Sequence, residues 1–210
     1  MKKLYYQLIL DKSGSMNPIW EQTISSFNEQ ISELKAIERD FPDQPLSVSL
    51  TLFNNNVTEV YSDKSPGSLS PLKLQEYKPE GTTSLYDAIG SSVQKLSAKI
   101  SAELEKEESE VIVVIITDGH ENASKLFSHE KISGLIKELE STKLWKFNYL
   151  GATLDAVGVA NSLNITFDNS INVSGVSSKA IFELVTDSIH SYIESKGSDK
   201  DAEFKIKSKK

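Results

Sequence analysis

The sequence contains no cysteine and only three histidines among its 210 residues. The absence of cysteine excludes disulfide frameworks, thiolate zinc sites and thiol nucleophiles. No two histidines lie within four residues of each other, which disfavours a histidine-rich transition-metal site. The chemistry of this chain must therefore come from oxygen-bearing side chains or from its surface.

Positive charge and long apolar segments are also scarce. The chain has 23 Lys and Arg against 30 Asp and Glu, a net charge of −7, whereas a nucleic-acid binder needs a positive face. No segment approaches the roughly 20 apolar residues of a membrane span. The first apolar run contains Gln7 and ends at Asp11 without a small-residue cleavage site, so a buried strand is favoured over a signal peptide. We expect a cytoplasmic protein that binds neither nucleic acid nor membranes.

Predicted strands and helices alternate along the chain. The stretch from Val111 to Ile116 consists of six consecutive β-branched residues, which is typical of a central parallel strand covered on both faces. The pattern predicts a three-layer α/β fold, a doubly wound (Rossmann-like), mostly parallel sheet with helices on both faces and one antiparallel edge strand. The predicted strands span 3–10, 46–53, 57–61, 111–116, 145–150 and 165–167; the predicted helices span 18–40, 85–104, 128–140, 154–161 and 181–193.

The boundaries of the domain follow from composition. Residues 1–195 are expected to form a single domain, since apolar periodicity continues to Ile193. From Lys196 the chain is rich in Lys, Ser, Asp and Gly, so we expect residues 196–210 to be a disordered lysine-rich tail. The connection 62–81 carries three of the six prolines, and a connection of this length in a compact domain is usually functional or mobile.

Two predicted strands end in an aspartate, Asp11 and Asp118. Ligands of doubly wound sheets bind at the carboxyl ends of the strands, where the strand order reverses. If both carboxylates face that crevice, they repel each other unless a cation lies between them. Ser13 and Ser15 add hydroxyl oxygens in the turn after Asp11, and the stretch 81–84 offers another. Oxygen donors alone favour Mg²⁺ or Mn²⁺ over Zn²⁺.

Three segments, in this order, resemble motifs of the von Willebrand factor A domains. They are Asp11-Lys12-Ser13-Gly14-Ser15 (the metal-ion-dependent adhesion motif D-x-S-x-S), Gly81-Thr82-Thr83-Ser84-Leu85-Tyr86-Asp87-Ala88 and Ile116-Thr117-Asp118-Gly119. The resemblance extends over about residues 3–195, and residues 118–124 are similar to intracellular bacterial members of the family.

The resemblance implies a metal site and a way of binding. Two carboxylates would hold a Mg²⁺ or Mn²⁺ ion directly or through water, three hydroxyls would complete the set, and an open position would accept an Asp or Glu side chain of a partner protein. The implied function is a cytoplasmic adaptor or assembly factor without catalytic activity, and a MoxR-type AAA+ ATPase system is the partner that bacterial relatives suggest. The implied metal ligands are Asp11, Ser13, Ser15, Thr83 and Asp118.

Residues beside this site are interpreted as its surroundings. We expect His120, Glu121 and Tyr86 to form the rim that meets a partner. Asp87 is expected to orient the turn that carries Thr83.

Other interpretations stay open at this point. A Mg²⁺-dependent phosphoryl-transfer enzyme would use Asp11 as its nucleophile, but such enzymes need a second carboxylate two residues on, where this chain has Ser13. A domain that binds partners without metal is a further alternative. Ser13 and Ser15 would also suit a simpler role, capping the helix that follows them.

Overall fold

The computed structural model describes residues 1–199 and 202–206. Its centre is a six-stranded sheet with the order β3-β2-β1-β4-β5-β6, in which only β3 runs antiparallel to its neighbour. This arrangement confirms the predicted fold class. The strands are β1 (Lys3–Asp11), β2 (Leu46–Phe53), β3 (Val57–Lys64), β4 (Ser109–Thr117), β5 (Trp145–Gly151) and β6 (Ser170–Asn172).

Helices cover both faces of the sheet. Helices α1 and α6 pack on one face, and α2, α4 and α5 pack on the other. Short 3-10 helices lie at Gly14–Ile19, Pro66–Ser68 and Phe167–Asn169. The α-helices are α1 (Trp20–Asp40), α2 (Leu85–Lys99), α3 (Ser101–Glu105), α4 (His129–Ser141), α5 (Ala156–Ser162) and α6 (Ser178–Ser198).

The two central strands explain the three layers. Successive side chains of a strand point to opposite faces, and both faces of β1 and β4 are apolar. Leu8 and Val114 belong to the core under α1 and α6, whereas Ile9 and Val113 belong to the core under α2 and α4. All four side chains are fully buried, which is why no polar alternation marks these strands in the sequence.

Two element predictions are wrong. The last strand was predicted at 165–167 but lies at Ser170–Asn172, because Ile165 donates its N–H to Ala160 and Asn169 donates its N–H to Thr166, so turns occupy these backbone groups. The single predicted helix 85–104 is two helices, α2 and α3, separated at Ile100. Glu103 of α3 accepts a hydrogen bond from the Tyr5 hydroxyl at 3.0 Å.

The connection between β3 and α2 is anchored to α1. Asn28 accepts the N–H of Leu72 at 2.7 Å and donates to the carbonyl of Leu72 at 3.0 Å. Leu69 and Leu72 are buried. This connection therefore covers the outer part of α1 before the chain reaches the carboxyl edge of the sheet.

The carboxyl terminus differs from the expected tail. Helix α6 continues to Ser198, past the predicted boundary at residue 196, and Phe204 and Ile206 are 2% and 6% exposed. The Phe204 ring packs edge-on against Tyr192, with the ring centroids 5.7 Å apart. Residues 200, 201 and 207–210 lie outside the described residues. Within the described part of the chain, no helix is long and apolar enough to span a bilayer.

Candidate functional site

The two strand-end aspartates lie side by side. Strands β1 and β4 are parallel neighbours, with Leu10 opposite Ile116, so Asp11 at the end of β1 lies beside Asp118, which follows β4. The strand order reverses between these two strands, so both aspartates lie at the switch point of the sheet. Asp11 is fully buried, and Asp118 is partly exposed at the surface of the crevice.

A continuous chain of hydrogen bonds connects the two carboxylates. Asp11 Oδ1 accepts the N–H of Ser13 at 2.7 Å. The hydroxyls of Ser13 and Ser15 lie 3.0 Å apart, and Ser15 donates to Asp118 Oδ1 at 2.7 Å. On the other side, Thr117 donates its hydroxyl to Asp11 Oδ2 at 2.6 Å. The turn after β1 therefore brings both serines between the aspartates.

Gly119 shows where the oxygen atoms converge. A Cβ atom at Gly119 would lie 3.0 Å from Thr83 Oγ1, 3.6 Å from Asp11 Oδ2 and 3.7 Å from Ser15 Oγ. The hydroxyl of Thr83, from a loop far away in the sequence, thus faces the same small space as the other side chains. The structure brings together all five predicted ligands.

The electrostatics of this cluster suit a cation. Burial raises the pKa of Asp11 above its ordinary value, hydrogen bonds from Thr117 and Ser13 lower it, and the neighbouring charge of Asp118 raises it. Neither aspartate forms an ion pair within residues 1–199 and 202–206. Two carboxylates with neutral hydroxyls around them are donors that fit a hard divalent cation.

This donor set differs from a carboxylate- or histidine-rich metal site. No group of three or more His, Cys, Asp or Glu side chains suited to a metal occurs among the described residues. The cluster has only two ionisable groups, and hydroxyls supply its other oxygens. The neutral hydroxyl donors would add no further negative charge around a hard cation bound here.

Hydrogen bonds and close packing hold the loops around the site together. Gly14 donates its N–H to the carbonyl of Gly81 at 3.1 Å, and a Cβ at Gly14 would lie 3.4 Å from that oxygen. Gly81 has φ +74°, a left-handed conformation that favours glycine. Asn54, buried at the end of β2, donates to the carbonyl of Glu80 at 2.9 Å. These contacts fix the loop that carries Thr83 against the loop that carries the serines.

The loop 119–128 is attached to the start of α2. Asn122 accepts the N–H of Thr83 at 2.9 Å and donates its own N–H to the Thr83 carbonyl at 3.0 Å. Asp87 accepts the N–H groups of residues 125–127 at 2.9–3.0 Å. Asp87 therefore holds the loop after Asp118, and Asn122 of the same loop connects it to Thr83.

The predicted rim residues have different environments. His120 is exposed, and Tyr86 is partly buried with its ring edge-on to His129 at 5.8 Å. The carboxylate of Glu121 accepts N–H groups from Ala123, Ser124 and Tyr86 at 2.7–3.0 Å. The Glu121 carboxylate therefore closes the loop and caps the start of α2, and the rim role of all three residues stays a prediction.

Three further residues near the site are not among those expected from the sequence. Thr117 bonds Asp11 directly, and its position just before Asp118 in a strand-end motif was an available signal. Asn122 holds Thr83, but no spacing or composition marks it. Tyr149 of β5 is buried, which raises its pKa, and the charge of Asp11 raises it further, so Tyr149 stays neutral near the site.

Comparison with known proteins agrees with this architecture. The sequence-family model of the von Willebrand factor type A domain matches residues 7–191 of this chain. No curated protein matches the sequence. Many solved structures are similar, among them the manganese-loaded TRAP protein of Plasmodium vivax, which is 25% identical with a TM-score of 0.52.

Two further structures share the fold at lower identity. The ArnB paralog VWA2 of Sulfolobus acidocaldarius is 18% identical with a TM-score of 0.55. The PilB minor pilin of Streptococcus sanguinis is 11% identical with a TM-score of 0.60. The matches cover 71%, 90% and 90% of this chain but 57%, 45% and 61% of the TRAP, VWA2 and PilB chains. The chain therefore spans about half to three fifths of these proteins.

Proposed function

Because the chain belongs to the von Willebrand factor type A family, we propose that it is a metal-dependent protein-binding module. Domains of this family commonly mediate protein–protein interactions. In this chain the binding site would be the carboxyl edge of the sheet, where a Mg²⁺ or Mn²⁺ ion joins the protein to an acidic side chain of its partner. The proposed metal ligands are Asp11, Ser13, Ser15, Thr83 and Asp118.

One observation carries this proposal. Oxygen atoms from two separate segments, the turn after β1 and the loop that carries Thr83, lie within 3.7 Å of a Cβ placed at Gly119. They include a buried carboxylate, Asp11, without an ion-pair partner in the described part of the chain. A buried charge without a partner is costly unless a counter-charge compensates it, and a divalent cation would provide that charge.

The residues of the site would have separate roles in binding and orienting the cation. Asp11 and Asp118 would neutralise a divalent ion, and the neutral hydroxyls would orient around it. When bound, the cation would supply an electrophilic position for a partner's carboxylate. Thr117 and the N–H of Ser13 hold the Asp11 carboxylate in its orientation, and Asn122 keeps Thr83 in place.

A similar solved structure supports the choice of metal. The TRAP protein of Plasmodium vivax, 25% identical to this chain, was crystallised loaded with manganese. Mn²⁺ and Mg²⁺ accept the same oxygen donors, so we propose that either ion occupies this site.

The partner and the cellular location are also proposals. We propose a cytoplasmic partner that presents Asp or Glu, and the resemblance to bacterial relatives makes a MoxR-type AAA+ ATPase system the first to test. The net charge of −7 disfavours a role in binding nucleic acid.

Calorimetric titration tests the metal site. The wild-type chain should bind Mn²⁺ with one-to-one stoichiometry, and Asp11→Asn should abolish the heat of binding, because one of only two carboxylates is lost. Asp43→Asn removes the same charge from an exposed loop and should leave binding unchanged. Equal metal affinity in Asp11→Asn and wild type would remove the assigned site.

A turnover assay separates this proposal from the phosphoryl-transfer alternative. We propose that the chain is not an enzyme, since Asp11 is fully buried and Ser13 stands where a general acid would be needed. Purified protein with Mg²⁺ should not hydrolyse simple phosphate esters. Hydrolysis that requires Mg²⁺ and disappears in Asp11→Asn would favour the enzyme.

A further inference from the structure

Exposed apolar side chains concentrate at one edge of the molecule. Within the described residues, the large hydrophobic side chains with high exposure are Met1, Ile19, Leu126, Leu154 and Val176. Apart from the terminal Met1, each lies in a segment that follows the carboxyl end of a strand. Single exposed apolar residues are ordinary, but four at the edge that carries the candidate metal site indicate a surface that contacts another molecule.

Two of these residues stand at the mouth of a cavity beside the metal site. The cavity, which we call the apolar slot, has a volume of about 500 Å³, within the usual range of ligand pockets. Its floor is formed by Met16, Ile116 and Phe182, all 6% exposed or less. Ile19 and Val176 line its mouth and are 39% and 45% exposed.

Defined local structure holds the mouth of the apolar slot. Gly175 has φ +74°, and the N–H of Val176 donates to the carbonyl of Val173 at 3.0 Å, so a tight turn presents Val176 at the surface. Next to it, the hydroxyls of Thr23 and Ser178 lie 2.9 Å apart and join the starts of α1 and α6. The slot is therefore bounded by fixed elements.

The charge at the slot points to its occupant. Asp118 is the one charged side chain among the described residues that line it. The same carboxylate accepts the hydroxyl of Ser15 in the candidate metal site. A partner segment whose carboxylate reaches a cation held by Asp118 must therefore lie directly beside the mouth of the slot.

We infer that the apolar slot binds a bulky apolar side chain adjacent to the acidic residue of the partner segment. The partner is then recognised by an acidic residue and a large apolar residue together. This inference rests on the proposed function, since the cation positions the acidic residue. Burying a leucine-sized side chain would strengthen binding by about tenfold or more.

A selection with short random peptides tests this inference. The full chain is immobilised with Mn²⁺, and displayed peptides are selected and sequenced. Wild type should enrich peptides that carry Asp or Glu beside Leu, Ile, Phe or Met, and EDTA should abolish the enrichment. Val176→Asp should keep the preference for an acidic residue, lose the apolar preference and bind the enriched peptides about tenfold more weakly.

Leu126→Asp is the matched control. It introduces the same charge at the same edge, but Leu126 does not line the slot, so both preferences should persist. Acidic enrichment without an apolar neighbour in wild type would overturn this inference and leave the proposed function standing. No acidic enrichment at all would contradict the proposed function itself.

A second copy of this chain is the other occupant to distinguish. Leu154 is fully exposed next to Asp155, so the chain itself presents an apolar and acidic pair. Sedimentation in Mn²⁺ should show a monomer. A metal-dependent dimer that Leu154→Ser abolishes would assign the slot to a second copy and overturn the inference of a separate partner.

Discussion

Gly119 lies where the oxygen atoms of the site converge, so it offers a direct test at the scale of one residue. In Gly119→Ala the new methyl group would lie 3.0 Å from Thr83 Oγ1, and the hydroxyl must move. We expect Mn²⁺ affinity to fall by about ten- to hundredfold, the loss typical of disturbing groups that position metal ligands. Calorimetric titration measures the change.

Gly134→Ala is the matched control for this substitution. A Cβ at Gly134 meets nothing within 4 Å, and the residue lies within α4. The substitution should leave metal affinity unchanged and stabilise the fold by about 0.5–1 kcal/mol. If Gly119→Ala and Gly134→Ala bind metal equally well, the oxygens do not surround a cation at this point.

The shifted pKa of Asp63, on the edge strand β3, predicts that the stability of the fold depends on pH. Burial raises its pKa, but hydrogen bonds from Ser47, Lys99 and Lys3 outweigh burial, so the pKa of the folded state lies below the ordinary value of 3.8. A lowered pKa stabilises the fold above that value, and the contribution is lost as the pH falls through the pKa of the folded state.

Asp63→Asn should therefore lower the free energy of unfolding at neutral pH, by less than about 1 kcal/mol because the pairs are screened by solvent. Denaturant unfolding from pH 7 downward measures the difference from wild type, which should vanish in strong acid. A difference that stays constant below the pKa would show that the charge of Asp63 is not the cause.

Whether the role of a single residue can be predicted depends on how near in the sequence its partners lie. Asp11, Ser13 and Ser15 lie in one short turn, so their spacing predicts their proximity. Glu121 and Asn122 act through backbone groups of a distant loop, and only the path of residues 119–128 shows which N–H groups they meet. The sequence carries no information about that path, so it could not predict the hydrogen bonds that Glu121 accepts.

At the scale of elements, the loop 119–128 and helix α2 form one unit. Asp87 accepts three backbone N–H groups of the loop, and the ring of Phe127 covers Gly90 so closely that a Cβ there would lie 2.6 Å from it. Asp118 directly precedes the loop, and Thr83 lies two residues before α2. Its stability should therefore affect the metal site.

Asp87→Asn tests this coupling. The neutral amide has one acceptor oxygen instead of two and lacks the charge that strengthens these hydrogen bonds, so we expect the free energy of unfolding to fall by about 2 kcal/mol. Metal affinity should fall as well, although Asp87 is not a proposed ligand. Loss of stability with unchanged Mn²⁺ affinity would show that the loop does not position the site.

Long, regular apolar patterns predicted strands and helices well, whereas short apolar stretches did not. The six β-branched residues of β4 and the apolar stripe of α1 gave elements within a few residues of the observed bounds. The stretch 165–167 is too short for its apolar content to separate a strand from a buried turn. Ile165 lies in a turn and is fully buried. Its apolar side chain therefore reflects burial and does not indicate a strand.

At the scale of the whole molecule, the terminal segment 202–206 packs back onto the domain. Phe204 is 2% exposed and contacts Tyr192 of α6. Phe204→Ala should lower the free energy of unfolding by about 2–3 kcal/mol, less than in a central core because a terminal segment relaxes. Denaturant unfolding measures the effect. The exposed neighbour provides the control, since Lys205→Ala should stay within about 0.5 kcal/mol of wild type.

If Phe204→Ala is as stable as wild type, residues 202–206 do not stabilise the fold, as expected for a solvated tail. Two apolar residues among lysines do not form a recognisable pattern, so the sequence does not predict the burial of this segment. Their burial depends on a surface formed by α6 and the neighbouring strands, which exists only in the folded chain.

Anomalous diffraction from crystals grown with Mn²⁺ would locate the cation itself. The account predicts one strong peak in the anomalous difference map between Asp11 and Asp118, with the hydroxyl oxygens of Ser13, Ser15 and Thr83 around it at about 2.1 Å or through one water. A map without a peak at this position, or a peak bound by other residues, would contradict it.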